Sequence, residues 1–164
     1  MRDIVAGMVA LALLLVAASL ATTLTVYRGR RRRMRDSQRE LGRALVAEIP
    51  AGDDLVLFSE DAEQFHYGDR SIRKDQIAAV RVLINGAPIA AYVSRAETAT
   101  AVAPTSFEDR PDGIARDRWD VAIETAIGTT LVECGAIRER VSQELARAVF
   151  EAVRRALERR DANT

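Results

Sequence analysis

Between Ile4 and Tyr27 the chain runs for 24 residues without a charged side chain, and six arginines follow in the next eight positions. A helix of that length spans roughly 36 Å at about 1.5 Å per residue, against roughly 30 Å of bilayer hydrocarbon. The run predicts one transmembrane helix over residues 4–27, crossing with some tilt. A cleaved secretory signal has a shorter apolar stretch of about 7–15 residues. Ala17, Ala18, Ser19 and Ala21 imitate a cleavage site, but the arginine block behind them is a stop-transfer pattern, so the segment reads as a single-pass signal-anchor. Positive charge stays on the cytoplasmic side. Residues 1–3 are therefore expected outside an inner (cell) membrane, with the C-terminal part in the cytoplasm. Arg28, Arg30, Arg31, Arg32, Arg33 and Arg35 are the expected membrane-surface contacts, setting topology and meeting anionic headgroups, and residues 4–35 the expected lipid-contacting segment.

The formal net charge of zero conceals a division. Residues 36–164 carry 17 basic and 23 acidic side chains, a net of −6, behind the arginine collar. A mildly acidic domain lacks the basic face that nucleic acid requires, so no nucleic-acid partner is expected. Cys134 is the only cysteine, which excludes a disulfide framework within the chain.

Residues 28–53 read as a basic juxtamembrane linker, partly helical, because Leu41, Leu45 and Val46 fall on one helical face over Asp36–Glu48. Pro50, Gly52, Asp53 and Asp54 break that pattern, and a folded domain is expected over residues 54–160. Leu55–Ser59, Gln64–Tyr67, Ser71–Arg73 and Ile77–Ile84 read as strands. Asn85-Gly86 between apolar runs is a strong hairpin signal, with Pro88–Val93 as the returning strand. Residues 95–117 read mostly as loop. Arg118–Ile127 alternates with period two, Trp119, Val121 and Ile123 on one face, and turns at Gly128-Thr129 into a last strand, Thr130–Cys134. Ala136–Arg160 has the stripe of an amphipathic helix, built on Ile137, Val141, Leu145, Val149, Val153 and Leu157. Residues 161–164 are expected as a disordered tail.

Six or seven strands followed by one long helix define an α+β class: a bent antiparallel sheet capped by the C-terminal amphipathic helix. The order QFHYGDRSIRKDQIAAVRV, then the Asn85-Gly86 hairpin, then RWDVAIETAIGTTLVEC and the helix resembles the bacterial PH-like (pleckstrin-homology-like) domains over Leu55–Arg160. The resemblance implies a binding domain joined to a membrane anchor. Glu60, Asp61 and Glu63 occupy the first-hairpin turn, where phosphoinositide-binding members place basic residues, so the resemblance does not extend to that ligand.

No constellation has the spacing of a catalytic or metal site. His66 is the only histidine and Cys134 the only thiol, too few for an ordinary zinc ligand set. Ser59 and Ser71 lie near His66 in sequence without an orienting group. Asp109, Asp112, Asp117 and Asp120 surround Pro111-Gly113 but do not match an EF-hand loop. As the long irregular segment, it supplies the candidate interaction loop: Asp109, Arg110, Asp112, Arg116 and Trp119. Trp119 itself reads as core. The chain is thus read as a non-enzyme, with no catalytic residue, cofactor or metal assigned, presenting a small interaction domain to a protein partner or helping to assemble a complex at the membrane. Two other readings accompany it: an enzyme using carboxylates of residues 108–120 and Glu124, and an anionic-lipid sensor using the collar.

Overall fold

The computed structural model describes residues 13–19, 29, 31–52, 54–95 and 117–163. The chain divides into two compact units, Met1–Gly42 and Arg43–Thr164. In the first, residues 13–19 and 31–40 are helical. The second helical stretch ends where Leu41 N–H bonds Ser37 O at 3.2 Å and Gly42 N–H bonds Arg39 O at 2.9 Å. Gly42, at φ 69°, takes the left-handed conformation that commonly closes a helix.

The transmembrane expectation needs correction. Among the described residues no helix is long and apolar enough to cross a membrane. Of the span 4–27, only residues 13–19 are described, and they are helical. The remainder of that span lies outside the described residues. The single-pass, inner-membrane placement with a cytoplasmic C-terminal domain therefore has no spanning helix behind it and is not carried forward.

The second unit holds eight strands: β1 (Ala44–Ala51), β2 (Asp54–Glu60), β3 (Gln64–Tyr67), β4 (Arg70–Arg73), β5 (Ile77–Ile84), β6 (Ala87–Val93), β7 (Arg118–Thr125) and β8 (Gly128–Ala136). The C-terminal helix is Arg140–Ala162. The class is α+β as expected, but the single bent sheet of six or seven strands is corrected to two antiparallel four-stranded sheets, ordered β1-β2-β3-β4 and β6-β5-β7-β8. The division falls at a short 3-10 turn, Lys74–Gln76, after which β5 pairs with β6 and β7 and not with β4. The eighth strand is β1, in residues read from sequence as helical linker. Leu41 and Leu45 imitated a helix repeat, but Gly42 stops the helix, and Ala47 and Ile49, two apart, point inward at 5 % and 1 % exposure.

Local chemistry sets the turns. Asn85 (φ 53°) and Gly86 (φ 79°) are both left-handed, as the tight turn between β5 and β6 requires. Asn85 Oδ1 also accepts N–H bonds from Asp117 at 2.5 Å and Arg118 at 3.1 Å, which fastens the start of β7 to the hairpin. The β7–β8 turn lies at Ala126-Ile127, two residues earlier than expected, with Thr125 opposite Gly128.

The core lies between the sheets and the helix. Phe58 and Phe65 stack at 5.5 Å, and Val80, Val121, Ile123, Val132, Val149, Val153 and Leu157 belong to the same buried cluster. The helix stripe is as read from Leu145 onward, but Val141 is 60 % exposed and Ile137 precedes the helix. The helix end is fixed on both sides. Asp161 accepts bonds from Ser94 Oγ (2.6 Å), Arg95 N–H (3.0 Å) and Tyr92 Oη (3.2 Å). Arg160 Nη1 donates to the carbonyls of Lys74 and Asp75 at 3.1 and 2.8 Å. Asp161, read as part of the tail, is therefore a structural residue.

Candidate functional site

β6 is the least covered strand of the domain. Its sequence, APIAAYV, carries no charge, and every residue except Tyr92 is exposed, with Ile89 at 55 % and Val93 at 47 %. It lies at the edge of its sheet, paired with β5 on one side and with no strand on the other among the described residues. Ser94 N–H bonds Ala78 O at 2.9 Å, in the same register as the Ala79–Val93 and Arg81–Ala91 pairs. Antiparallel alternation then directs the backbone groups of Tyr92 and Ala90 at β5, and those of Ala91 and Val93 away from it. The strand is anchored at its far end by Asp161, through Tyr92 and Ser94. Proteins usually blunt such an edge with charge or proline. Pro88 and the β-bulge at Ile89, which has no register partner on β5, do so at one end only, and the stretch Ala90–Val93 has no such device.

A second feature is an open groove between the C-terminal helix and the β1–β2 end of the first sheet. Two adjoining hollows, of about 480 and 580 Å³, share Glu60 and Arg155. Leu45, Arg147, Glu151 and Arg159 also line it.

Most other chemistry-bearing side chains among the described residues are occupied structurally. His66 Nε2 meets Asp61 Oδ2 at 2.7 Å, and Asp61 Oδ1 accepts the N–H groups of Glu63 (2.8 Å) and Gln64 (2.7 Å), closing the β2–β3 turn. Ser59 and Ser71 are register partners of His66 on either side, so Ser59, His66 and Asp61 gather as a serine–histidine–acid set that sequence reading misses, because in sequence Asp61 is one of three acids of the first-hairpin turn with nothing to tie it to His66. Ser59 is 1 % exposed, closed to any substrate. The set is better read as the lock of a hairpin. His66 holds the Asp61 carboxyl down at about 2, against an ordinary 3.8. A carboxyl lowered in the folded state stabilises it fully above the unfolded value and loses that contribution as pH falls through the folded one. Asp61→Asn is therefore expected to lower the urea midpoint at neutral pH, with the gap from wild type closing between about pH 4 and about pH 2. A gap that persists at the acid end would show that the carboxylate charge is not its source.

Around β7, Arg118 Nη1 meets Glu133 Oε2 at 2.9 Å, and Arg118 Nε lies 2.8 Å from Asp120 Oδ1. The second contact attracts as charges, but its angle leaves Arg118 Nε and both Asp120 oxygens without a hydrogen bond. Burial raises the Asp120 carboxyl, and Arg118 opposes the rise. Burial likewise pushes the Cys134 thiol up to about 12, so the buried thiol is a poor nucleophile. Glu124 is held by Arg81 at 2.7 Å, and Asp117 lies exposed at the mouth of β7. Asp120 and Glu133 share Arg118, Glu124 is paired with Arg81, and Asp117 faces solvent. Among the described residues no group of three His, Cys, Asp or Glu side chains is placed to hold a metal ion.

Of the residues singled out from sequence, Arg31, Arg32, Arg33 and Arg35 are exposed on the helical stretch 31–40. Arg28 and Arg30 lie outside the described residues, as do Asp109, Arg110, Asp112 and Arg116 of the interaction loop. Trp119 is in β7, opposite Ile84 and Gly135, packed on the core and not presented by a loop. No family model, curated protein or solved structure matches the chain.

Proposed function

We propose that residues 43–164 form a protein-interaction domain whose β6 edge receives an extended, uncharged segment of a partner protein as an added strand. The uncharged, exposed run Ile89–Val93, with outward backbone groups at Ala91 and Val93, carries this reading. Strand addition draws affinity from main-chain hydrogen bonds and selectivity from alternate side chains. The partner's side chains would meet Ala91 and Val93 on one face of the strand. The PH-like resemblance belongs to the same proposal, as a binding domain with a helix packed on antiparallel sheets.

The test is selection of short peptides from a displayed library against the full chain. Uncharged β-prone segments are expected among the binders. Ala91→Pro removes an outward N–H, and Val93→Lys adds an edge charge, so each is expected to weaken a selected peptide about tenfold or more. Thermal midpoints of the two variants serve as the check on folding. Binders indifferent to both substitutions in folded protein would sink the proposal.

A further inference from the structure

The groove beside the C-terminal helix has an uneven charge balance that its raw composition hides. Glu60, Glu144, Glu151 and Glu158 line it together with Arg147, Arg155 and Arg159. Each of the acids already has a cation. Lys74 Nζ holds Glu60 at 2.9 Å, Arg140 holds Glu144 at 3.2 Å, and Arg154 holds both Glu151 at 3.4 Å and Glu158 at 3.0 Å. The three lining arginines form no ion pair among the described residues. Arg159 only donates its Nε to the Arg155 carbonyl at 3.2 Å. The charge left unmatched in the groove is therefore positive, and all three arginines are exposed.

Their spacing is regular. Positions 147, 155 and 159 differ by multiples of four, so the three arginines lie on one i±4 row of the helix surface, which winds about 40° with each step. Along the axis they stand about 12 Å and about 6 Å apart. An extended chain advances about 3.3 Å per residue, so two residues cover about 6.6 Å and four cover about 13 Å. Leu45 and Ala148 supply apolar lining beside Arg147 and Arg155.

We infer that this groove is a second docking site, and that its occupant is an acidic extended segment of a partner protein with carboxylates at positions one, three and seven, or one, five and seven if it runs the other way. Arginine pairs with carboxylates in a planar, two-pronged geometry that suits such a segment. The site is separate from the β6 edge and stands whether or not that edge takes a strand.

The experiment uses the full chain and fluorescent seven-residue peptides with glutamates at those positions and serine or glycine elsewhere. Fluorescence anisotropy is expected to show salt-sensitive binding, at least about tenfold weaker for the glutamine analogue and for a peptide with its three glutamates adjacent. Arg155→Gln is expected to weaken the spaced peptide by a similar factor, and Arg155→Lys by less. Arg70→Gln, far along the chain on β4, should leave binding unchanged. Competition by phosphatidylserine vesicles as effective as the unlabelled peptide would overturn the inference in favour of a lipid surface. Equal affinity for spaced and adjacent glutamates would overturn it too, as would retention of binding by the folded triple variant Arg147→Gln, Arg155→Gln, Arg159→Gln.

Discussion

Replacing Phe58 by alanine is expected to destabilise the domain by about 3–5 kcal/mol, the range for emptying a fully buried aromatic site. Phe58 is 0 % exposed, stacks on Phe65 and tilts against Tyr67 at 6.4 Å. It lies where β2 is clasped between β1 and β3, opposite Ala47 on one side and Tyr67 on the other. The small Ala47 cannot fill the space left behind, so the cavity term stays large. With a urea slope of about 2 kcal/mol per molar, the midpoint should fall by about 2 M. Phe58→Leu, which keeps most of the volume, should cost far less. A loss below about 1 kcal/mol for the alanine variant would mean that the first sheet does not share the core of the second.

The second large effect is expected at Gly135. Its φ of 115° is closed to side-chain-bearing residues, and a Cβ there would stand 2.5 Å from Ser142 Oγ. That hydroxyl donates to Glu139 Oε2 at 3.2 Å, at the residue that opens the C-terminal helix. Gly135→Ala therefore strains the backbone, by about 1–3 kcal/mol on its own, and also pushes on the helix start. The two contributions separate in a double variant. Ser142→Gly removes the steric contact, so Gly135→Ala should cost less in that background, while the backbone part remains. Equal costs in both backgrounds, measured by urea unfolding, would assign the whole effect to backbone conformation.

How far the sequence announces this structure depends on the range of the interaction. Asn85-Gly86 marks its turn because both residues tolerate positive φ, a property visible in two letters. The second role of Asn85, as acceptor for the start of β7, depends on residues more than thirty positions away and leaves no local trace. The helix stripe from Leu145 to Leu157 is legible because its period matches its burial. β1 is not, because Leu41 and Leu45 mimic a helical repeat across a glycine that ends the helix. The apolar run Ile4–Tyr27 meets every compositional criterion for a membrane span, yet among the described residues no helix is long and apolar enough to cross one.

The candidate sites show the same division. β6 reads from sequence as an ordinary hairpin partner, since APIAAYV is as apolar as a buried strand. Its exposure and its place at a sheet edge are both properties of the fold, not of the seven letters. The three groove arginines are indistinguishable in sequence from Arg140 and Arg154, and only the ion pairs of the fold tell them apart. The serine–histidine–acid set around His66 illustrates the converse, residue types of catalysis gathered in a hairpin whose serine is sealed from solvent.

Amide hydrogen exchange of β6, with and without a peptide selected against the full chain, tests the proposed strand addition residue by residue. The amides of Ala91 and Val93 should be slowed markedly by the peptide, while those of Ala90 and Tyr92, already bonded to β5, should change little. Slowing at Ala90 and Tyr92 alone, or no change along β6 while the peptide is bound, would place the binding surface elsewhere. Slowing that follows protein concentration without any peptide would replace the partner segment by a second copy of the chain.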